Sequence, residues 1–171
     1  MSVSLVLGGA RSGKSRRAEA LVRETGLQRV YLATSEPFDD EMRARIAQHK
    51  ADRDAAGWAT VEEPLDLVGT LSRSSSPETA VLVECLTTWL GNLMHHERNV
   101  EAECARLIAW AAEDPAGSTV FVGNEVGLGI VPENKMARVF RDHAGRLHQD
   151  LATVADRVEL VVAGLPMTVK G

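Results

Sequence analysis

Apolar residues in this chain fall into short continuous runs, separated by stretches where they recur every three or four positions. Val3 to Leu7 is an almost wholly apolar run ending in Gly8-Gly9, the pattern of a strand buried on both faces. From Ser15 the pattern changes. Ala18, Leu21 and Val22 recur at helical spacing, and Gly26 closes the segment. Val30 to Ala33 predicts a second strand. Phe38 to Ala55 predicts a second helix, opened by Asp39 and Asp40 and ended near Gly57. Trp58 to Val61 reads as a short third strand, Leu65 to Leu71 as weakly helical, and Ser74 to Pro77 as a loop. Val81 to Val83 predicts a buried strand ending at Glu84, followed by helices over Thr87 to His95 and Val100 to Ala112. Thr119 to Val122 is the next strand and Asn124 to Asn134 a glycine-containing loop. Lys135 to Val154 is a long helix, and Val158 to Ala163 the last strand.

Strands alternating with helices imply an α/β fold: a mainly parallel sheet with helices on both faces. No repeat or linker divides the chain, and 171 residues suit a single domain over residues 1–171. The strand order is not legible. Composition adds exclusions. A formal net charge of −5 argues against nucleic acid as a general partner. No apolar run is long enough for an integral membrane segment, and no basic region precedes the first apolar run as in a signal peptide. Cys85 and Cys104 are too few for a disulfide framework, so a cytoplasmic location with reduced thiols is expected.

The most specific local signal is Gly8-Gly9-Ala10-Arg11-Ser12-Gly13-Lys14-Ser15, which matches G-x-x-x-x-G-K-[ST] between a strand and a helix. Such a loop cradles the phosphates of ATP or GTP. Glycines let the backbone wrap the anion, and the next helix offers free N–H groups. Lys14 is placed to reach the β- and γ-phosphates and Ser15 to ligate Mg²⁺. Glu84 ends a neighbouring strand, where a carboxylate can face that cation, although Asp is the commoner choice there. Thr87 and Thr88 either line the same crevice or cap the following helix.

A nucleotide-driven switch protein is one candidate. Asp66 to Gly69 matches D-x-x-G, and Asn134 to Ala137 almost matches N-K-x-D. However, Asp66 follows no buried strand, and Ala137 replaces the carboxylate that would read guanine. A small-molecule kinase without a covalent step is a second candidate. The segments GGARSGKSRRAE, ATSEPFDDEMRARIAQHK, VECLTTWLGNLM, NEVGLGIVPEN and RVFRDHAGRLHQDLA occur in this order. Together they resemble the bifunctional adenosylcobinamide kinase/adenosylcobinamide-phosphate guanylyltransferase family of cobalamin synthesis, from Leu5 to about Val162. Glu84 departs from the Asp of many members, and Gln48 from the second His of some.

That resemblance implies a three-layer P-loop NTPase fold of the RecA-like kind and two reactions in one chain. ATP or GTP phosphorylates the aminopropanol hydroxyl of adenosylcobinamide. GMP then passes from GTP to that phosphate, giving adenosylcobinamide-GDP and pyrophosphate. The resemblance implies that a histidine carries the GMP, and that it is His49. It also implies a homo-oligomer, a trimer. Spacing alone reads His49 differently: it shares a helix face with Ile46 and Met42, as a histidine at the edge of the core does. Imidazole is nonetheless a competent nucleophile near neutral pH. Arg45 and Lys50 are candidates for neutralising phosphate charge, or members of a solvated helix face. Asn124 and Glu125 open a loop beyond the carboxyl end of a strand, where ligands of open α/β sheets bind. Arg138, Arg141 and Asp142 on the long helix read as a phosphate or subunit contact, or as surface ion pairs. His143 and His148 lie on the same helix. His95 and His96 are adjacent and point apart on a helix, a poor arrangement for a metal.

Overall fold

The computed structural model describes residues 2–37 and 40–171, except for the side chains at 41–46, 49 and 52. Its elements run β1 (Ser2–Gly8), α1 (Lys14–Glu24), β2 (Gln28–Ala33), α2 (Asp40–Ala55), β3 (Trp58–Glu62), α3 (Leu67–Ser74) and β4 (Thr79–Glu84). They continue with α4 (Leu86–His95), α5 (Val100–Ala112), β5 (Ser118–Asn124), α6 (Lys135–Val154), β6 (Arg157–Val162) and β7 (Leu165–Lys170). The seven strands form one sheet in the order β3-β2-β4-β5-β1-β6-β7. Every neighbouring pair is parallel except β6 and β7.

The apolar runs form strands because the sheet is covered on both faces. Successive side chains enter opposite cores. Leu5, Val81, Val83 and Phe121 join one cluster with Leu71, Trp89, Leu107 and Leu147 of α3, α4, α5 and α6. Val6, Leu82, Val120 and Val122 join the other with Ala18, Leu21 and Val22 of α1. The central strands β4, β5 and β1 therefore alternate between two apolar environments, and their carboxyl ends line up along one edge of the sheet.

The structure departs from the sequence reading in places. The strand at β6 is not the last: Ala163 and Gly164, with φ of 51° and 81°, turn the chain into the antiparallel β7. Two central residues at positive φ give a tight hairpin turn whose twist matches the strands. Pro166 is tolerated because β7 is an edge strand. Helix α3 runs on through Ser74, into the segment read as loop, and its start is capped by Asp66, whose side chain accepts from the Gly69 N–H. Asn134 caps α6 in the same way, accepting from the Ala137 N–H. Both lookalikes of GTPase motifs are thus helix caps. The expected opening of α2 at Phe38 and Asp39 lies outside the described residues. Among the described residues no helix is long and apolar enough to cross a membrane.

The start of β5 is sterically exacting. Gly117 has φ of 81°, and a Cβ there would lie 2.2 Å from the Ser76 carbonyl oxygen and 2.3 Å from that of Thr79. Gly91 on α4 is the opposite case, with nothing within 4 Å of an added Cβ. Gly117→Ala is expected to cost about 3 kcal/mol and lower the melting temperature by roughly 10 °C. Gly91→Ala is expected to raise stability by up to about 1 kcal/mol, because alanine is the better helix former. Thermal denaturation followed by circular dichroism checks both; equal midpoints would refute the contrast.

Candidate active site

The loop from Gly8 to Ser15 leaves the buried end of β1 and enters α1. Gly8 pairs with Asn124 of β5 on one side and Val161 of β6 on the other. Its lack of a side chain is required: a Cβ would lie 2.4 Å from Ser12 Oγ and 2.8 Å from the Val161 carbonyl oxygen. Gly9 and Ala10 lead into Arg11, whose φ is 55°, and Gly13 precedes α1 with φ of 96°. The Ser12 N–H donates to the Gly9 carbonyl at 3.3 Å. No side chain caps α1, and the first helical hydrogen bond runs from the Arg17 N–H to the Gly13 carbonyl. The preceding N–H groups of α1 stay available to an anion. The buried Lys14 spans the loop, its ammonium donating to the Gly9 carbonyl at 3.2 Å.

Two further contacts hold this loop in place. The Gly164 N–H donates to the Ser12 carbonyl at 2.7 Å, so the β6–β7 hairpin supports the loop from outside. Arg17 makes a two-pronged pair with the buried Glu159 of β6, at 2.8 and 3.0 Å. Those hydrogen bonds hold the Glu159 carboxyl below its ordinary range. The hairpin went unread in the sequence, although Ala163-Gly164 between two apolar runs was a signal for it.

Glu84 reaches the same place from β4. Its Oε1 accepts from the Ser15 hydroxyl at 3.0 Å. Its Oε2 is sealed from solvent and has no hydrogen-bond partner among the described residues. Burial pushes the Glu84 carboxyl up to about 7, against the pull of the Ser15 hydrogen bond and the Lys14 charge. An oxygen pair of this kind, one hydroxyl and one half-satisfied carboxylate beside a phosphate loop, fits a hard divalent cation.

Behind Glu84 lies a polar network the sequence reading missed. Thr34, the first residue past β2, donates through its hydroxyl to the Cys85 carbonyl at 2.9 Å and accepts from the Cys85 N–H at 2.9 Å. Asn92 of α4 donates to the Thr34 carbonyl at 2.6 Å and the Pro64 carbonyl at 3.1 Å. Both side chains are buried. For Thr34, its position just past a strand was the available signal; Asn92, inside α4, carried none. Arg53 of α2 was also overlooked. Its guanidinium carbon lies 3.9 Å from the centroid of the Tyr31 ring, a cation–π contact. Tyr31 is two residues before Ala33, the register partner of Glu84, so it projects from the same face of the sheet as Glu84.

The other expected residues are distributed as follows. Thr87 does not cap α4; it meets the start of the loop after β5. Its hydroxyl accepts from the Asn124 N–H at 2.7 Å, while Cys85 caps α4 through the Thr88 N–H. Glu125 donates its N–H to the Gly8 carbonyl at 3.0 Å, and its Oε1 accepts from the Gly127 N–H. The loop therefore begins directly beside the phosphate loop. Arg138 donates to the Pro132 and Glu133 carbonyls, which ties down the loop's exit. Arg141 lies 3.8 Å from Asp142, and Lys50 3.6 Å from Glu62, both as surface pairs. His96 pairs with Glu36 at 2.9 Å, and its ring lies edge-on to that of His95. His148 is buried under Gly123, and burial lowers its pKa. The side chains of His49 and Arg45 lie outside the described residues. Position 49 belongs to α2, one helical turn before Arg53.

The fold is shared with P-loop NTPases of the RecA-like kind. The RadB recombinase superposes with a TM-score of 0.54 at 14% identity, covering 93% of this chain and 73% of that one. The flagellar accessory protein FlaH from Methanocaldococcus jannaschii gives 0.55 at 12% identity, over 99% and 78%. Sequence relatives say more. The bifunctional adenosylcobalamin biosynthesis protein CobP of Pseudomonas aeruginosa is 47% identical, over 98% of this chain and 96% of its own length. The bifunctional adenosylcobalamin biosynthesis protein CobU of Salmonella typhimurium is 46% identical, over 97% and 98%. The family profile described as cobinamide kinase / cobinamide phosphate guanyltransferase matches residues 4–169. With a phosphate loop, a carboxylate facing its serine and relatives that align end to end, this chain belongs to the cobinamide kinase / cobinamide phosphate guanyltransferase family.

Proposed function

We propose that this chain performs both reactions of its family within one domain, with a single phosphate cradle serving each. In the first, the aminopropanol hydroxyl oxygen of adenosylcobinamide attacks the γ-phosphorus of ATP or GTP. The nucleoside diphosphate leaves, and the hydroxyl proton is released. In the second, the neutral imidazole of His49 attacks the α-phosphorus of GTP, and the bond to the β-phosphate breaks to release pyrophosphate. An oxygen of adenosylcobinamide phosphate then attacks the same phosphorus. The phosphorus–nitrogen bond breaks and His49 is free again.

The observation that carries this reading is the meeting of Lys14, Ser15 and Glu84 at the end of β4. The Ser15–Glu84 contact of 3.0 Å and the orphaned Glu84 oxygen fit Mg²⁺. Ser15 and Glu84 would hold it, and when bound it would neutralise charge on the phosphate oxygens. Lys14 holds the β- and γ-phosphates. In the second reaction the same ammonium balances the charge of the leaving pyrophosphate. The family resemblance supports His49 as the carrier, as does its place on α2. That helix is anchored through Arg53 to Tyr31, on the face of the sheet that carries Glu84. A homo-oligomer is part of this reading. Leu128 and Ile130 are 86% and 97% exposed on the loop after β5, and Leu165 and Val169 are exposed on β7. Apolar side chains presented this openly suit contact with a second copy. Net negative charge and the ATP- or GTP-directed site support a small-molecule role without nucleic acid, and the free cysteines Cys85 and Cys104 fit the cytoplasm.

Lys14→Ala is expected to lower kcat/KM of both reactions by roughly a hundredfold or more, with circular dichroism unchanged. Near-normal rates of either reaction would refute the shared cradle. Wild-type protein incubated with α-labelled GTP should retain label through an acid-labile bond on the peptide containing His49, and γ-labelled GTP should leave none. His49→Ala should lose that label and GMP transfer while phosphorylating adenosylcobinamide normally. Adduct on His143 or His148 would move the carrier elsewhere.

The Glu84 carboxyl gives a pH test. Its folded pKa is raised above the unfolded value, so the folded state binds more protons between about pH 4.5 and 7, and stability falls as pH rises through that window. In the absence of nucleotide and Mg²⁺, Glu84→Gln should therefore melt above wild type at pH 8, with the gap closing toward pH 5. The same variant should lose activity, and Glu84→Asp should keep more of it. A wild-type melting temperature that rises from pH 5 to 8 relative to Glu84→Gln would contradict the buried carboxylate.

A further inference from the structure

Two depressions in the surface differ in chemistry. The first, of about 560 Å³, is formed by residues 11–16 of the phosphate loop with Ala163 and Gly164 of the hairpin. Backbone N–H groups and the side chains of Arg11, Lys14 and Arg16 make it suitable for a polyanion. The second, of about 1010 Å³, lies between α4 and α6 on the opposite face of the sheet from α1. Its walls include Met94, Met136, Ala137 and Phe140, with Thr88 and Asn134 as uncharged hydrogen-bonding groups and His95 and Glu97 at one end. No Lys or Arg lines it among the described residues.

We propose that this second groove receives the corrin ring of adenosylcobinamide, so that the aminopropanol arm passes over the end of β5 into the phosphate cradle. The inference rests on the proposed function and names where its larger substrate sits. Three observations carry it. The first is continuity. Thr87 lines the groove, and its hydroxyl accepts from the Asn124 N–H, while Asn124 is the register partner of Gly8, the first residue of the phosphate loop. An arm reaching past Thr87 therefore arrives at the cradle. Asn92, a further polar residue of the groove, is bonded to the Thr34 carbonyl, and Thr34 in turn holds the backbone after Glu84. Second is chemistry. A corrin ring is an apolar macrocycle fringed with neutral amides. Methionine and phenylalanine walls with hydroxyl and amide groups match it, whereas a nucleotide's phosphates would find no cation there. The third is size. Pockets for small ligands span about 300–1,000 Å³, and this one lies at the upper end, beyond the need of a nucleoside. Met136 of the groove is 68% exposed.

Gly91 gives a direct way to fill the groove, because it lines the floor and has nothing within 4 Å of an added Cβ. The experiment compares wild type, Gly91→Phe, Gly91→Ala and Met136→Glu in the phosphorylation reaction. Adenosylcobinamide and ATP are varied in turn, and GTP binding is measured by equilibrium dialysis with each protein carrying His49→Ala, so that no covalent step consumes the nucleotide. Gly91→Phe and Met136→Glu should each raise KM for adenosylcobinamide roughly tenfold or more, while KM for ATP and the Kd for GTP stay within about twofold. Gly91→Ala should match wild type. Met136 is exposed, so its variant carries the test if Gly91→Phe does not fold, a failure that GTP binding reports. An unchanged KM for adenosylcobinamide in an active filled variant would overturn the inference, as would a rise confined to ATP. A wild-type protein that binds GTP but turns over no adenosylcobinamide would overturn the proposed function, and the inference with it.

Discussion

A loop of backbone N–H groups can bind an anion only if something else holds it open. In this chain that burden falls on β1, an apolar strand hydrogen-bonded on both sides, to β5 and to β6. The register fixes Gly8 beside Asn124 and Val161, and the side chains of Leu5 and Val6 are sunk in opposite cores. The loop thus starts from a rigid point. Its far end is fixed by the Arg17–Glu159 pair, and its middle by the Gly164 N–H. A pre-formed cradle of this kind needs no ordering when a triphosphate arrives, so the binding energy is available for catalysis.

The same frame explains how two chemistries can share one site. β4 sits two strands from β1, and its end delivers Glu84 to Ser15. In the proposed function Lys14, Ser15 and Glu84 deal with phosphate charge, which is common to displacement at the γ- and the α-phosphorus, and the reactions differ only in which nucleophile approaches. With the corrin in the α4–α6 groove, as inferred above, the hydroxyl would come from that side of the sheet, and His49, on α2, would act from the other. The Arg53–Tyr31 contact ties α2 to that second side.

Much of this was legible in the chain because buried parallel strands are apolar throughout, and because the phosphate loop has a strict grammar of glycine, lysine and serine. What stayed hidden depended on contacts far apart in sequence. Thr87 looked like a helix cap or a crevice residue, yet its hydroxyl serves a backbone N–H 37 positions away. Thr34 and Asn92 are ordinary polar residues until the sheet brings β2, β4 and α4 together. The β6–β7 hairpin was missed because its strand is exposed throughout, so no burial pattern marked it. For His49, spacing alone pointed to the edge of the core, and only the family resemblance gave it a chemical role.

The central claim is that one cradle serves both reactions, and competition tests it most directly. A non-hydrolysable ATP analogue with a β,γ-imido bridge should occupy the loop around Lys14 and block both activities. The account predicts one inhibition constant, the same for adenosylcobinamide phosphorylation and for GMP transfer, with competition against the nucleotide in each. Two clearly different constants, or inhibition of phosphorylation with GMP transfer unaffected, would mean that GTP uses a separate site and would contradict the account.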